Sequence, residues 1–479
     1  MSVASPPRSR PLPSGWATAF ESRPMRYPET GSQEVMTRRA WWLVMLNFLL
    51  PGSAQVLAGN RRLGRFGLAA TLVMWVLVVL AVVVAVLWPQ LLFTVVTNWF
   101  ALVVAQVLLL GYAVLWAILT FDTLRLVRIV KTRPRARFGI AGIAVLLLVL
   151  SSGGAAWAAM AAGVTRDTLG SVFGVGGPAV APSEGYYNIL LLGADSGEGR
   201  DSMRFDSISV ASVNATTGAV TITGIPRDIV DVPFAPGPMQ ELYPDGHEGM
   251  ADDACGWGSG INQLRTEVEV CRDGNALYPD AAAQGSEPGI EATKDAAEGA
   301  LGIEIPYYVF LDMHGFAALI DALGGVDITV TERLPKGGGP AFEGQSADDW
   351  AIGWIEVGPQ HMDGDTAQWY ARSRYTTSDW DRMKRQRELQ AAILAQFTPG
   401  NVLARFQDVA AAGSDVLQTD LPRSMLPYFA DLALKSKELP VTTIELTPEH
   451  GVDPEDPDWA YVQDLVRQAL HPPTATPEP

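Results

Sequence analysis

Residues 188–228 read NILLLGADSGEGRDSMRFDSISVASVNATTGAVTITGIPRD. NILLLGA reads as a buried strand. SISVASV (207–213) alternates like a half-buried strand, NATTG is a turn, and AVTITGI returns, so the last two form a hairpin. The charges fall between and after the strands: Asp195 closes the first run, Arg204 and Asp206 precede the second, and Arg227-Asp228 leave the third. Antiparallel pairing of 207–213 with 219–225 brings residue 206 and residues 226–228 to one edge of a sheet. Strand ends beside loops are where α/β folds build sites.

Outward from this stretch the pattern alternates. GIEATKDAAEGALG (289–302) reads as a helix, IPYYVFL as a strand, MHGFAALIDALGG as a helix ending on glycines and VDITV as a strand. Such alternation implies a layered α/β domain. YARSR, read as a strand, points Arg372 and Arg374 to one face. DWDRMKRQRELQAAILAQF (379–397) is an amphipathic helix with Met383, Leu389, Ile393 and Phe397 near one side and Arg382, Arg385 and Gln386 in its first turns. The domain is expected over 186–397. Residues 398–470 form an extension packing on it, and HPPTATPEP (471–479) is a disordered tail by composition.

The N-terminal third is different. FGLAATLVMWVLVVLAVVVAVLW (66–88), WFALVVAQVLLLGYAVLWAILTF (99–121) and FGIAGIAVLLLVLSSGGAAWAAMAAG (138–163) carry no charge. Each exceeds the roughly 20 residues that cross hydrocarbon as a helix. No short apolar segment with a cleavage site opens the chain, so a removed signal peptide is not expected. Arg61, Arg62 and Arg65 precede the first span, and Arg125, Arg128, Lys131, Arg133, Arg135 and Arg137 precede the third. The positive-inside rule puts both stretches in the cytoplasm and everything after the 164–185 linker outside. The expected protein is therefore a multi-pass plasma-membrane protein with a cytoplasmic disordered tail (1–40), a membrane region (41–163) and an extracellular C-terminal domain. WWLVMLNFLLPGSAQVLAG (41–59) is apolar but short and broken by Pro51-Gly52. A re-entrant or interfacial hairpin is preferred there over an extra span.

Charge splits at the same border. Residues 1–163 carry a net +11 and the remainder −28, giving −17 for the chain. An outer part this acidic excludes nucleic acid as its partner, because a phosphate backbone demands a broad basic surface. Yet nine of its 20 cations fall at 200–204, 227 and 372–387. From spacing alone a surface ion-pair lattice is the plainer explanation; the arginines of YARSR and Arg382, Arg385 and Gln386 at the start of the next helix favour a local anion site instead. Clustered arginine makes bidentate contacts with phosphate. Adjacent carboxylates oppose phosphate unless a cation intervenes, and Mg²⁺ (or Mn²⁺) held by one or two carboxylates plus phosphate oxygens resolves the conflict. No ATP is available outside the membrane and no P-loop pattern is present, so the substrate must carry its own activated phosphate, as a lipid-linked pyrophosphate does. The two cysteines, Cys255 and Cys271, both lie in this outer part. One disulfide closing a 17-residue loop is expected of them.

NILLLGADS, Arg-Phe-Asp-Ser, IPRD, YARSR and the Arg-x-x-Arg-Gln run of DRMKRQRE, in this order, resemble the LytR-CpsA-Psr family over about residues 186–397. The resemblance implies a membrane-anchored three-layer α/β/α domain with a central mixed sheet. It implies transfer of a glycopolymer from a polyprenyl-pyrophosphate carrier to a peptidoglycan acceptor, leaving a phosphodiester. By motif position Asp195 and Asp206 resemble the magnesium-binding acids, with Asp206 also among the catalytic residues. Arg204, Arg227, Arg372 and Arg374 resemble the pyrophosphate cradle. Arg200, Asp228, Asn262, Arg382, Arg385 and Gln386 are the remaining substrate-binding candidates, Gln386 as a polar supporter. An apolar cavity for the prenyl tail is implied between the sheet and helices such as 312–323. The chain departs from the family in two places: Ser196-Gly197 stands where an Arg commonly follows the first aspartate, and Gly260 stands where a Lys usually precedes Ile261-Asn262. Arg265 is the one nearby cation that could replace it. Two other readings use the same residues: a lipid-pyrophosphate hydrolase with water as acceptor, and a non-catalytic membrane regulator that binds lipid-linked wall intermediates.

Overall fold

A computed structural model describes residues 23–173, 179–194, 204–250, 258–396, 417–437 and 439–472. The described chain divides into two compact units, one made of residues up to 86 with 103–162, the other of 87–102 with 163 onward.

In the first unit, helix α1 (Gln33–Leu49) starts at Ser32, whose hydroxyl accepts from the Val35 amide. The tail expected to stay disordered to residue 40 is therefore helical from Gln33, because a good cap precedes the apolar face. The helix stops before Gly52, which sits at φ 98° against the backbone of Gly64, and α2 (Ser53–Ala58) follows. Among the described residues three long helices are apolar enough to cross a membrane: α3 (Arg61–Leu87), α5 (which begins at Trp99 and ends at Val127) and α6 (Pro134–Val172). The third overruns into the expected linker, since no proline interrupts it before Pro178. Between the first two lies α4 (Pro89–Thr97).

The second unit is built on strands β1 (Tyr186–Ala194), β2 (Phe205–Asn214), β3 (Val220–Ile225), β4 (Tyr307–Asp312), β5 (Val326–Val330), β6 (Leu334–Lys336), β7 (Gly353–Ile355), β8 (Gly358–Met362), β9 (Leu417–Thr419) and β10 (Thr442–Glu445). Six make one mixed sheet in the order β10-β3-β2-β1-β4-β9, in which β10–β3 and β1–β4 are parallel and the other pairs antiparallel. Both edge strands come from beyond residue 416. The segment expected as an appended extension completes the sheet instead; its strands of three and four residues are too short to show alternation.

Period-2 alternation sends Leu190, Leu192 and Ala194 to one face of β1, where they pack with Ile208, Val210 and Phe310, and with helices α7 (Pro288–Leu301) and α12 (Trp459–Leu470). On the other face Tyr187 and Tyr307 pack with Leu432 and Phe429 of α11 (Leu426–Ser436). Helix α10 (Asp379–Gln396) lies on that face too: Arg387 donates to Ser207 Oγ at 3.4 Å and Gln390 to Ser209 Oγ at 3.3 Å. Arg387 is buried and stands 3.9 Å from Glu445 of β10. That pair explains Gly224 in β3, where a Cβ would sit 2.4 Å from Glu445 Oε2. A separate core, with Ile320 of α8 (Met313–Leu323), Val326, Ile328, Tyr370 and Leu389, fixes α10 against α9 (Gly364–Arg372). Helix α4 packs on α11 in this same unit, and Arg423 Nε donates to Thr97 O at 2.6 Å.

Candidate functional site

The β2–β3 register places Ile208 opposite Ile225, so Asp206 and Arg227 leave the same end of the hairpin. A register shift between Gly193 and Ala194 pairs them with Ser207 and Phe205, leaving Asp206 as the extra residue of a bulge, a device that re-aims a side chain. Arg227 Nη1 donates to Asp206 Oδ1 at 2.5 Å and its Nε to Asp228 Oδ2 at 3.2 Å. Asn262 donates from Nδ2 to Asp228 Oδ1 at 3.0 Å and from its backbone to Arg227 O at 3.0 Å. Burial works against the Arg227 charge, but Asp228, Asp206 and Asp379 outweigh it and raise its pKa above the ordinary value.

The second half comes from α9 and α10. Asp363 caps α9 by accepting from the Thr366 amide, and Gly364 lets the helix approach Ala317, whose carbonyl oxygen a Cβ would meet at 2.1 Å. Ala367, Tyr370 and Ala371 are its buried face, and the helix runs on to Arg372. YARSR is thus a helix end and turn rather than a strand, because helical spacing of that face carries through it. Arg372 and Arg374 do not share a strand face: the Arg372 guanidinium stands 5.5 Å from the Trp369 ring centre, while half-exposed Arg374 reaches Asp379 Oδ1 at 3.8 Å.

Arg385 and Gln386, both among the substrate-binding candidates, hydrogen-bond to main-chain carbonyls in this structure. Arg385 Nε donates to Tyr370 O at 3.0 Å, and its Nη2 donates to Ser373 O. Gln386 Nε2 donates to Ala371 O at 3.3 Å. These groups satisfy the carbonyls that the end of α9 leaves open and so fix the turn carrying Arg374. Arg382 does face the cluster: it is buried, its Nη2 donates to Asp379 Oδ2 at 3.0 Å, and its Nε has no hydrogen bond among the described residues. Burial lowers the Arg382 pKa from the ordinary value, with Asp379 opposing.

Asp379 is the residue the sequence reading missed. Its carboxylate touches Arg382 at 3.0 Å and Arg374 at 3.8 Å, and it lies 4.0 Å from Arg227, so it joins the hairpin edge to the helix pair. The signal was present: it is the first acid of DWDR, at a helix start where a carboxylate is favoured. Asp195, Arg200 and Cys255 lie outside the described residues; Arg204 is half-buried just before β2. Arg265 supplies no spare cation, being itself buried, paired with Glu269 and Glu287, and lying 5.3 Å from the ring centres of Phe205 and Phe310.

The irregular loop after IPRD is tied by a different network. His247 is buried, with Nδ1 2.9 Å from Ser259 O and Nε2 2.9 Å from Glu267 Oε2. Glu267 also accepts from Tyr243 Oη at 2.7 Å and from Arg272 Nε at 2.7 Å. Burial would raise the Glu267 carboxyl, but the hydrogen bonds from His247, Tyr243 and Arg272 outweigh it and hold it at about 2. Cys271 ends the turn Glu267–Cys271 within this network.

The arginine-rich edge lies inside a recognised unit. The LytR_cpsA_psr family profile matches residues 175–464, more than half of the chain. The chain belongs to the LytR_cpsA_psr family. It is 27% identical over 256 residues to Biofilm regulatory protein A of Streptococcus mutans, covering 52% of this chain and 53% of that one. It is 26% identical over 240 residues to the polyisoprenyl-teichoic acid–peptidoglycan teichoic acid transferase TagU of Enterococcus faecalis, covering 49% and 61%. The chain therefore spans about half to three-fifths of these relatives' length. Among solved structures it is similar to protein gbs0355 of Streptococcus agalactiae, with 21% identity, TM-score 0.41, and coverage of 60% of this chain and 88% of that one. The match boundary at 464 includes β9, α11 and β10, in line with a sheet completed from beyond residue 416.

Proposed function

We propose that this protein transfers a glycopolymer from a polyprenyl-pyrophosphate carrier to a peptidoglycan hydroxyl. The observation that carries the reading is the convergence of Arg227, Arg374 and Arg382 on one carboxylate, Asp379, at the end of the hairpin. Two of the three contacts are too long for hydrogen bonds, so a pyrophosphate can replace Asp379 at Arg374 and at Arg227 Nη2 while Arg227 keeps its pairs with Asp206 and Asp228. The acceptor oxygen bonds to the phosphorus bearing the polymer, the bond from that phosphorus to the bridging oxygen breaks, and polyprenyl phosphate leaves. Arg227, Arg374 and Arg382 stabilise the charge growing on the leaving phosphate. The acceptor's proton passes to Asp228, which is 68% exposed at the mouth of the cluster.

The acids fit a divalent cation in part. Asp206 binds Arg227 through Oδ1 alone, leaving Oδ2 without a hydrogen bond among the described residues, and Asp195 directly follows Ala194 at the end of the paired strand. These two would hold Mg²⁺ or Mn²⁺, whose charge would screen the carboxylates against an incoming phosphate. Charge supports the compartment. The basic residues at 61–65 and 125–137 precede the first and third apolar helices, and the positive-inside rule assigns both stretches to the cytoplasm, in keeping with a multi-pass protein whose C-terminal domain is extracellular.

The test is reconstitution of the full chain in vesicles with lipid-linked polymer, peptidoglycan and Mg²⁺. Polymer joined to peptidoglycan by a phosphodiester is the expected product. Free polymer phosphate would make the protein a hydrolase, and binding without turnover a regulator. Full-rate turnover after EDTA treatment would remove the metal from the reading.

A further inference from the structure

Beside the arginine cluster lies a group of exposed rings that the reaction above does not use. The ribbon β6–β7 is pinned to both ends of α9: Ser373, between the two arginines, donates its hydroxyl to Pro335 O at 2.9 Å, and Lys336 Nζ reaches Asp365 at 3.1 Å and Thr366 at 2.9 Å. Between its strands the chain loops out over residues 337–352. Tyr375, next to Arg374, donates from Oη to Gly338 O at 2.9 Å, and its ring meets that of Trp350 edge-on at 4.9 Å. Gly339, at φ 101°, is required there, since a Cβ would lie 2.1 Å from Tyr375 Oη. This corner is built to hold its shape.

It exposes large apolar side chains among its acids. Phe342 is 66% exposed and Ile352 79%, while Tyr375 and Trp380, which flank the Arg374–Asp379 contact in sequence, are also exposed. A patch of this kind at a site's rim marks an interaction surface. Its charge says which kind. Residues 332–365 carry Glu332, Glu343, Asp348, Asp349, Glu356, Asp363 and Asp365 against Arg333 and Lys336. That excess repels an anionic lipid surface and an anionic polymer. A neutral sugar ring suits it: the C–H face packs on aromatic rings, and the hydroxyls donate to carboxylates.

We infer that residues 337–352 with Tyr375 and Trp380 form a platform for the sugar rings of the acceptor glycan, setting its hydroxyl toward the arginine cluster. This rests on the proposed transfer for the identity of the glycan, not for the existence of the surface. The test is binding of a soluble peptidoglycan glycan fragment to the purified full chain, followed by tryptophan fluorescence. Phe342→Ser with Ile352→Ser should weaken it about tenfold, the scale of one lost aromatic packing contact. Inorganic pyrophosphate, bound at the arginines, should keep its affinity in the same variant and so reports an intact fold. Glycan affinity unchanged by the double variant, or no glycan binding by the wild-type chain, overturns the platform, and so does a variant that loses only its attachment to anionic vesicles. Loss of pyrophosphate binding in wild type would instead overturn the donor site.

Discussion

The Glu267 network and the Asp379 cluster each gather three side chains on one carboxylate and differ in how completely they are satisfied. Around Glu267, His247 and the carboxylate are buried, and three donors reach the two carboxylate oxygens at 2.7–2.9 Å. Around Asp379, two of three arginines stop at 3.8–4.0 Å, and Arg382 Nε has no hydrogen bond among the described residues. A saturated buried network holds shape and has nothing left to offer a ligand. A half-satisfied one at a surface keeps donors in reserve. The difference separates a brace from a site.

The largest effect belongs to the brace. Glu267→Ala leaves His247 and Arg272 without their acceptor, and breaking a buried pair in this way costs about 3–5 kcal/mol. Chemical denaturation should show that loss, while protein that stays folded keeps its turnover per molecule. A variant that unfolds normally but turns over slowly would move Glu267 into the site. Next comes Cys271→Ser, which opens the proposed 17-residue loop and should cost about 3 kcal/mol. Labelling of both cysteines in non-reduced protein would show that there is no such bond to lose.

On the site's side, Arg374→Ala and Arg227→Ala should each lower turnover about 100-fold, the scale for losing one donor to developing charge. The melting temperature should barely move for Arg374, which is half exposed. Arg467→Ala, on an exposed face of α12, is the control and should change neither quantity. Equal losses at all three positions would reduce the cluster to a surface ion-pair lattice.

Why the sequence disclosed one half of this site better than the other is a matter of period and direction. Strands β1 to β3 alternate with a period of two and are joined by a turn, so the meeting of Asp206 with Arg227 could be read directly. YARSR is too short to show that it closes a helix whose buried face begins at Ala367. Residue type also hid direction: Arg385 and Gln386 sit in the right motif, yet they point at the carbonyls of α9. Asp379 was obscured because Arg227 reaches it from the distant end of β3, a meeting that its neighbours Arg374 and Arg382 in the sequence do not announce. Strands β9 and β10 escaped because sheet edges of three or four residues carry no pattern of their own.

The smallest effect separates the two kinds of carboxylate by pH. Glu298 of α7 is pushed up to about 7, chiefly by burial, with Asp295 adding to the rise, and Asp295 itself is raised to about 6 by burial. A folded-state pKa above the unfolded value means that the native chain binds more protons between about 4.5 and 7. Stability from Glu298 is therefore complete below about 4.5 and is lost as pH rises through 7. Glu267 has the opposite sign: held at about 2, it contributes stability above about 4.5 that is lost as pH falls toward 2. Glu298→Gln removes the titrating proton while keeping an acceptor for the Ile305 amide. It should flatten the decline between pH 4.5 and 7 by about 2 kcal/mol, a figure set by the size of the shift and discounted for partial exposure. Unfolding curves at a series of pH values read this directly. If the variant keeps the wild-type slope in that window while Glu267→Ala alone changes the slope below it, the buried acids of α7 are ionised throughout and the contrast rests on Glu267 alone.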